Sequence, residues 1–260
     1  MNFFCNFTFL IAAVHSAAIF LCAENGALVT YVYGKTEVIK KNEDNSSKII
    51  NLANSTRIKT NDWICTGKGS RTQLQLGNFI YRLGSMSVVN LSASNDITLH
   101  SGSLLFCSSE RIQLVIRSID SNATFMGSGT IIIETTENGG FKFIPIEGRG
   151  IITTSKGDSK EITGGRMMLI MSDPSYFGDA YDIDLMLMIK TSGLLNAFPD
   201  PLPSFGKISL AIYTQELKLK GKYNALIGDA PTKDNLQMWQ FGPSEDENNK
   251  GFFNKIFKRN

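Results

Sequence analysis

Between Ala27 and Met171 apolar residues recur in short runs, and each run stops at a turn signal. In Thr72-Gln73-Leu74-Gln75-Leu76 the Gln residues fall on one side and the Leu residues on the other, which is the pattern of a half-buried strand. Phe141 and Phe143 flank Lys142 in the same way. The run Thr130–Glu134 is apolar at every central position and fits a strand buried on both faces. In order, ALVTYVY stops at Gly34, TQLQL at Gly77-Asn78, FIYRL at Gly84-Ser85, and SVVNLS follows. DITLH stops at Ser101-Gly102, LLFC at Ser108-Ser109, and RIQLVIRSI at Asp120-Ser121-Asn122. TIIIETT opens after Gly127-Ser128-Gly129, and FKFIPI, GIITT and RMMLIM complete the series. Turn signals spaced by roughly 8–12 residues between β-branched runs predict a mainly β fold. Over 24–172 this is a multi-stranded antiparallel sandwich or a solenoid-like β domain.

After Pro174 the character changes. The pattern of GDAYDIDLMLMIKTSG predicts a helix over 180–192, with Asp179 as its cap, Asp182 and Asp184 in its first turns, Lys190 in its last turn and Gly193 as the stop. Pro199, Pro201 and Pro203 predict a stiff extended connector. Ile208, Ala211, Ile212, Gln215 and Leu219 then recur at helical spacing up to Gly221, although Ile208, Leu210 and Ile212 also fit a strand. The small α-containing extension covers 173–243. An acidic linker and a basic-aromatic tail complete the chain over 244–260, where Phe252, Phe253, Ile256 and Phe257 would share a helix face opposite Lys255, Lys258 and Arg259. Such a tail fits a frayed end, a short helix docked on a partner, or a weak membrane contact.

Residues 1–23 contain no Lys, Arg, Asp or Glu and are dominated by Phe, Leu, Ile and Ala. This reads as a secretory signal peptide cleaved after Ala23, with Leu21 and Ala23 at the −3 and −1 places. Bulky Ile19, Phe20 and Leu21 argue against Cys22 as a lipoprotein cysteine. If uncleaved, the segment would be a membrane anchor. The expected location is periplasmic or secreted.

Composition narrows the function. Of the 260 residues 42% are hydrophobic and 19% charged, with a net charge of +2, so no electrostatic case exists for a nucleic-acid partner. His15 and His100 are the two histidines, and cleavage would leave only His100, which excludes a histidine-rich zinc site. Cleavage also leaves two cysteines, Cys65 and Cys107; a disulfide between them and two separate buried thiols are equally consistent with the sequence.

The stretch DWICTGKGSRTQLQLGNFIYRLGSMSVVNL, followed by LHSGSLLF, resembles the FecR domain. The resemblance runs through Ile64-Cys65-Thr66, Ser70 to Leu76, Phe79 to Leu83 and Gly102-Ser103-Leu104-Leu105-Phe106. It continues at Gly129-Thr130-Ile131-Ile132, at Phe143 to Ile152 around Gly148, and at Gly164-Gly165, so that it covers 27–171. The family's usual Asp-Gly hairpin reads Gly77-Asn78 here. Regulatory members carry a cytoplasmic anti-sigma segment and a membrane span before this domain, whereas here an export signal precedes it. The resemblance implies an exported, non-enzymatic envelope sensor or interaction module whose partner is an envelope protein or glycan.

Each reactive group has an ordinary structural explanation. Gly127-Ser128-Gly129-Thr130 is followed by a β run instead of a helix and lacks the P-loop Lys, which favours a turn or bulge over a phosphate cradle. His100, with Asp96 nearby, suits an exposed turn better than a triad. Asp182 and Asp184 are explained by a helix start without glycosidase chemistry. Asn45, Asn54, Asn90 and Asn122 head Asn-x-Ser/Thr sequons that would matter only in a eukaryotic secretory pathway. No catalytic residue, metal ligand or cofactor site is nominated. The alternatives to an interaction module are a self-assembling surface protein and a carbohydrate-active enzyme.

Overall fold

The computed structural model describes residues 26–41, 47–172 and 175–219. Predicted features in 1–23 and 244–260 lie outside these residues.

The strands are β1 (Gly26–Tyr33), β2 (Thr36–Lys41), β3 (Ser47–Asn51), β4 (Arg57–Lys59), β5 (Trp63–Thr66), β6 (Arg71–Leu76), β7 (Phe79–Leu83), β8 (Val88–Ala93) and β9 (Asp96–Ser101). They continue with β10 (Ser103–Arg117), β11 (Asn122–Thr135), β12 (Phe141–Thr154), β13 (Ser159–Glu161), β14 (Arg166–Met171) and β15 (Tyr176–Asp182). Helices α1 (Leu185–Thr191), α2 (Gly193–Asn196) and α3 (Phe205–Leu219) follow. The fold is mainly β with a small α-containing C-terminal part, as the alternation predicts.

Three long hairpin strands organise it. The first half of β10 pairs antiparallel with β7, through Leu104↔Leu83 to Cys107↔Ile80. Its second half pairs parallel with β9, at Val115↔Asp96 to Arg117↔Thr98. The other strand pairs are antiparallel, so the sheet is mixed. β10 therefore passes from one leaf to another, and β11 and β12 follow it. One leaf carries β1, β6, β7, β14 and β15; the other carries β9, β8, β5, β2 and β3.

The principal core lies between the leaves. Leu74, Tyr81, Leu104, Phe106, Ile131, Phe141 and Phe143 come from the first leaf, and Ile64, Val89, Ile97, Leu114, Phe125 and Ile152 from the second. Every second residue of these strands points inward, as the pleat requires. Full burial of each such side chain contributes about 1.5–3 kcal/mol. The Tyr81 hydroxyl donates to the Ser94 carbonyl at 2.5 Å, and burial raises its pKa.

Several expectations need correction. LLFC and RIQLVIRSI belong to one strand, β10, and Gly127-Ser128-Gly129 lies inside β11, where a turn between strands is the natural sequence reading. The reason is the register: Gly127 opposes Gly150 and Gly129 opposes Gly148. A Cβ on Gly129 would collide with the Glu147 carbonyl, and one on Gly148 with the Ser128 carbonyl, so the strands touch closely as they bend. The ladders shift between Ser108 and Ile112 and between Thr130 and Ile131, so the bulge half of the reading stands.

The helix predicted over 180–192 starts later. Tyr176–Asp182 forms β15 against β14, and Asp184, not Asp179, caps α1 by accepting from Leu187 N at 2.8 Å. Gly193 does not stop the helical path; it opens α2. The segment 197–204 is the irregular connector, and the helix anticipated from Ile208 is α3.

Candidate functional site

The outer face of the first leaf is covered by the helices. Residues directly opposite across strands form rows there. One row is Gln73, Arg82, Leu105, Ile132 and Ile144, and its apolar members pack under Ile183, Leu185, Leu194, Ile208 and Ile212. A flanking row carries Glu134 and Lys142, ion-paired at 3.1 Å and nearly buried.

Arg82 fastens this helical layer to the sheet. It is 1% exposed, and Nε donates to Gln73 Oε1 at 2.8 Å. Its remaining nitrogens donate to the carbonyls of Leu194 at 3.1 Å and Asp200 at 2.5 Å, closing the end of α2. The guanidinium also lies 4.4 Å from the centre of the Phe198 ring. Burial pushes its pKa down to about 10, against the opposing influence of Cys107 and Asp200. Gln215 makes a second tie: its Oε1 accepts from Leu185 N at 2.9 Å and its Nε2 donates to the Ile183 carbonyl at 2.6 Å.

The third row is polar. Cys107, Thr130 and Glu147 are cross-strand neighbours on β10, β11 and β12, and Ser204, whose carbonyl accepts the first helical bond of α3 from Ile208 N, lies over them. The Cys107 thiol donates to Ser204 Oγ at 3.5 Å, Ser204 and Thr130 hydroxyls are 2.6 Å apart, and Thr130 Oγ1 donates to Glu147 Oε1 at 2.8 Å. Each hydroxyl then donates once and accepts once, and the chain ends on a carboxylate. A buried row of this kind is satisfied only when every member is present.

Glu147 also lines an open cleft of about 890 Å³ between β12, the turn 163–165 before β14, and α3. Arg149, Arg166, Asp182 and Lys207 stand around it, with Leu210 and Ala211 on its α3 side. Arg166 Nε is 3.9 Å from Asp182 Oδ1. Arg149 and Lys207 are exposed, and neither has an ion pair or side-chain hydrogen bond among the described residues. Lys207 borders, in addition, a smaller cleft of about 110 Å³ beside Cys107 and Ser204.

The residues singled out from the sequence are scattered. Cys65 and Cys107 are free thiols, so the disulfide alternative does not hold. Cys107 is buried under the helical layer, whereas Cys65 alternates with buried Ile64 and Thr66 and faces away from the core. Burial, and then Glu37, raise the Cys65 pKa. His100 is exposed as expected but lies within strand β9, not in a turn, and meets Trp63 edge-on at 6.4 Å, while Asp96 pairs with Arg117. Asp182 and Asp184 face different tasks, an ion pair and a helix cap. Among the sequons, Asn90 is buried and donates to the Asp62 carbonyl, Asn54 and Asn122 are exposed, and Asn45 lies outside the described residues. Among the described residues no group of three or more His, Cys, Asp or Glu is placed to hold a metal.

Sequence reasoning missed Arg82 and the Cys107–Thr130–Glu147 row. Arg82 was visible as a charge within FIYRL, but the carbonyls of Leu194 and Asp200 that it holds come from more than a hundred residues away.

No family model matches the chain, and no curated protein matches it. Two crystal structures of a candidate anti-sigma factor from Parabacteroides distasonis ATCC 8503 are similar in part, at 11% and 10% identity and a TM-score of 0.37 each. The match covers 46% of this chain and spans 59% of the length of those structures.

Proposed function

We propose that the chain is an exported, non-enzymatic FecR-like β module acting as an envelope sensor or interaction module, and that it recognises its partner at the cleft between β12 and α3. The observation that carries this reading is the pair Arg149 and Lys207, two cations on one concave surface with no counter-ion among the described residues. Unneutralised charge in a concavity attracts and orients a ligand while contributing little to folding. The FecR-like residues over 27–171 support the module, and the apolar segment 1–23 supports export. The test is fractionation of cells expressing the chain, followed by crosslinking capture from envelope extracts with wild type and Arg149→Glu. The expected result is an envelope-located chain whose defined protein or glycan partner is lost in the variant. A chain retained in the cytoplasm, or capture unaffected by Arg149→Glu, would refute the proposal.

One observation favours self-assembly as a second reading. Leu210, Tyr213 and Leu217 are 64%, 59% and 55% exposed and fall on one stripe of α3. Sedimentation velocity separates the readings, because a strict monomer across concentrations excludes this one.

A further inference from the structure

We infer that the β12–α3 cleft binds a small carboxylate-bearing ligand, its acid group held by Arg149 and Lys207 while a neighbouring O–H or N–H of the ligand donates to Glu147. This rests on the recognition role proposed for the cleft and names its ligand chemistry.

The available groups set the class. Arg166 already faces Asp182 at 3.9 Å, which leaves Arg149 and Lys207 as the cations open to a ligand. A guanidinium presents a planar fork that matches a carboxylate with two parallel bonds, and an ammonium adds a point charge beside it. Arg149, Arg166 and Lys207 against Glu147 and Asp182 leave one net positive charge around the cleft. A single carboxylate neutralises that charge; a phosphate dianion would reverse it beside two fixed carboxylates.

Glu147 fixes the rest of the ligand. Its Oε1 is occupied by Thr130, and its second oxygen has no partner among the described residues, while the residue lines the cleft. A carboxylate in that position can only accept, so the ligand must bring a donor near its acid group. Leu210 and Ala211 supply an apolar wall for a carbon skeleton, and about 890 Å³ is a volume that suits a small molecule. An acidic sugar and an N-acylated amino acid both carry this combination of carboxylate and adjacent donor.

The experiment is calorimetric or NMR titration of the whole chain with D-glucuronate and N-acetylglycine. Each is set against its neutral counterpart, methyl glucoside or N-acetylglycinamide, and against inorganic phosphate. At least one carboxylate should bind about tenfold tighter than its neutral counterpart, and Arg149→Ala and Lys207→Ala should each weaken it about tenfold or more. Arg149→Lys should recover part of the loss. Preference for glucuronate identifies an acidic sugar, and preference for N-acetylglycine an amino-acid-type acid. Phosphate binding tighter than both acids, equal binding of neutral counterparts, no binding of either acid, or indifference to both substitutions overturns the inference. If envelope capture is still lost in Arg149→Glu while neither acid binds, the ligand class fails and the recognition role stands; loss of both results removes both.

Discussion

Arg82→Ala tests whether one buried cation holds the helical layer on the sheet. The substitution strips the donor from Gln73 Oε1 and from the Leu194 and Asp200 carbonyls and uncovers Phe198. Hydrogen bonds from a charged donor are worth about 1.5–3 kcal/mol each, so three of them bound the loss at roughly 9 kcal/mol. The guanidinium itself is 1% exposed, and removing it relieves a desolvation penalty of several kcal/mol. The net destabilisation expected is about 3 kcal/mol. Urea unfolding of wild type and variant measures it, and limited proteolysis locates it. New cleavage should appear between 193 and 219 before the strands β5–β12 are cut. Arg82→Lys should behave nearly as badly, because one ammonium on a shorter reach cannot serve acceptors spread from β6 to the connector. A loss below about 1 kcal/mol with an unchanged cleavage pattern would show that Ile208, Ile212 and their neighbours hold the layer by packing alone.

Gly129→Ala should destabilise the chain by about 2 kcal/mol or more, since φ is +145° there and the new methyl would meet the Glu147 carbonyl; thermal unfolding checks this. Asp62 has its pKa raised, chiefly by burial and despite its hydrogen bond from Lys59 N. The folded chain therefore holds this proton more tightly than the unfolded chain. The associated stability is present below the ordinary carboxylate value near 3.8 and is lost as pH rises through the raised folded value. Asp62→Asn keeps the acceptor, so it should raise the melting temperature at pH 7 and converge with wild type in acid; a drop at pH 7 refutes the argument. Thiol titration of unfolded, unreduced protein should find both Cys65 and Cys107 reactive, and dithiothreitol should leave the melting temperature unchanged.

The strand pattern was legible wherever polar and apolar residues alternate, even where the polar side is dry. Gln73 and Lys142 are buried, so these segments are not the half-buried strands that the alternation predicts, because the helical layer covers their outer face. Gln73 and Gln75 against Leu74 and Leu76 announced β6, and Phe141 and Phe143 around Lys142 announced the start of β12. Where the local signal and the pairing disagree, the sequence misleads. Gly127 and Gly129 read as chain breakers, but their role is set by Gly150 and Gly148 on another strand, and no local window contains both sides of that contact. Asp179 reads as the helix cap and Asp182 and Asp184 as first-turn residues; pairing of 176–182 with β14 takes the first two into a strand and leaves Asp184 as the cap. The cleft was illegible for the same reason, because Arg149 and Lys207 come to line one concavity only after the sheet has bent and α3 has docked.

The bend and the cleft are therefore one feature. Ser128 and Glu147 border the cleft, and each is adjacent in sequence to a glycine of the close contact between β11 and β12. The irregularity after Thr130 places Glu147, not Ile146, opposite that residue, which turns its carboxylate toward Ser204 and the start of α3. Without the glycine pairs the strands could not approach closely enough to hold this register, and Glu147 would lose both its hydroxyl partner and its place in the cleft. A side chain introduced at Gly129 is thus expected to damage recognition by more than its cost in stability predicts, whereas Arg149→Ala leaves the bend intact and removes recognition alone.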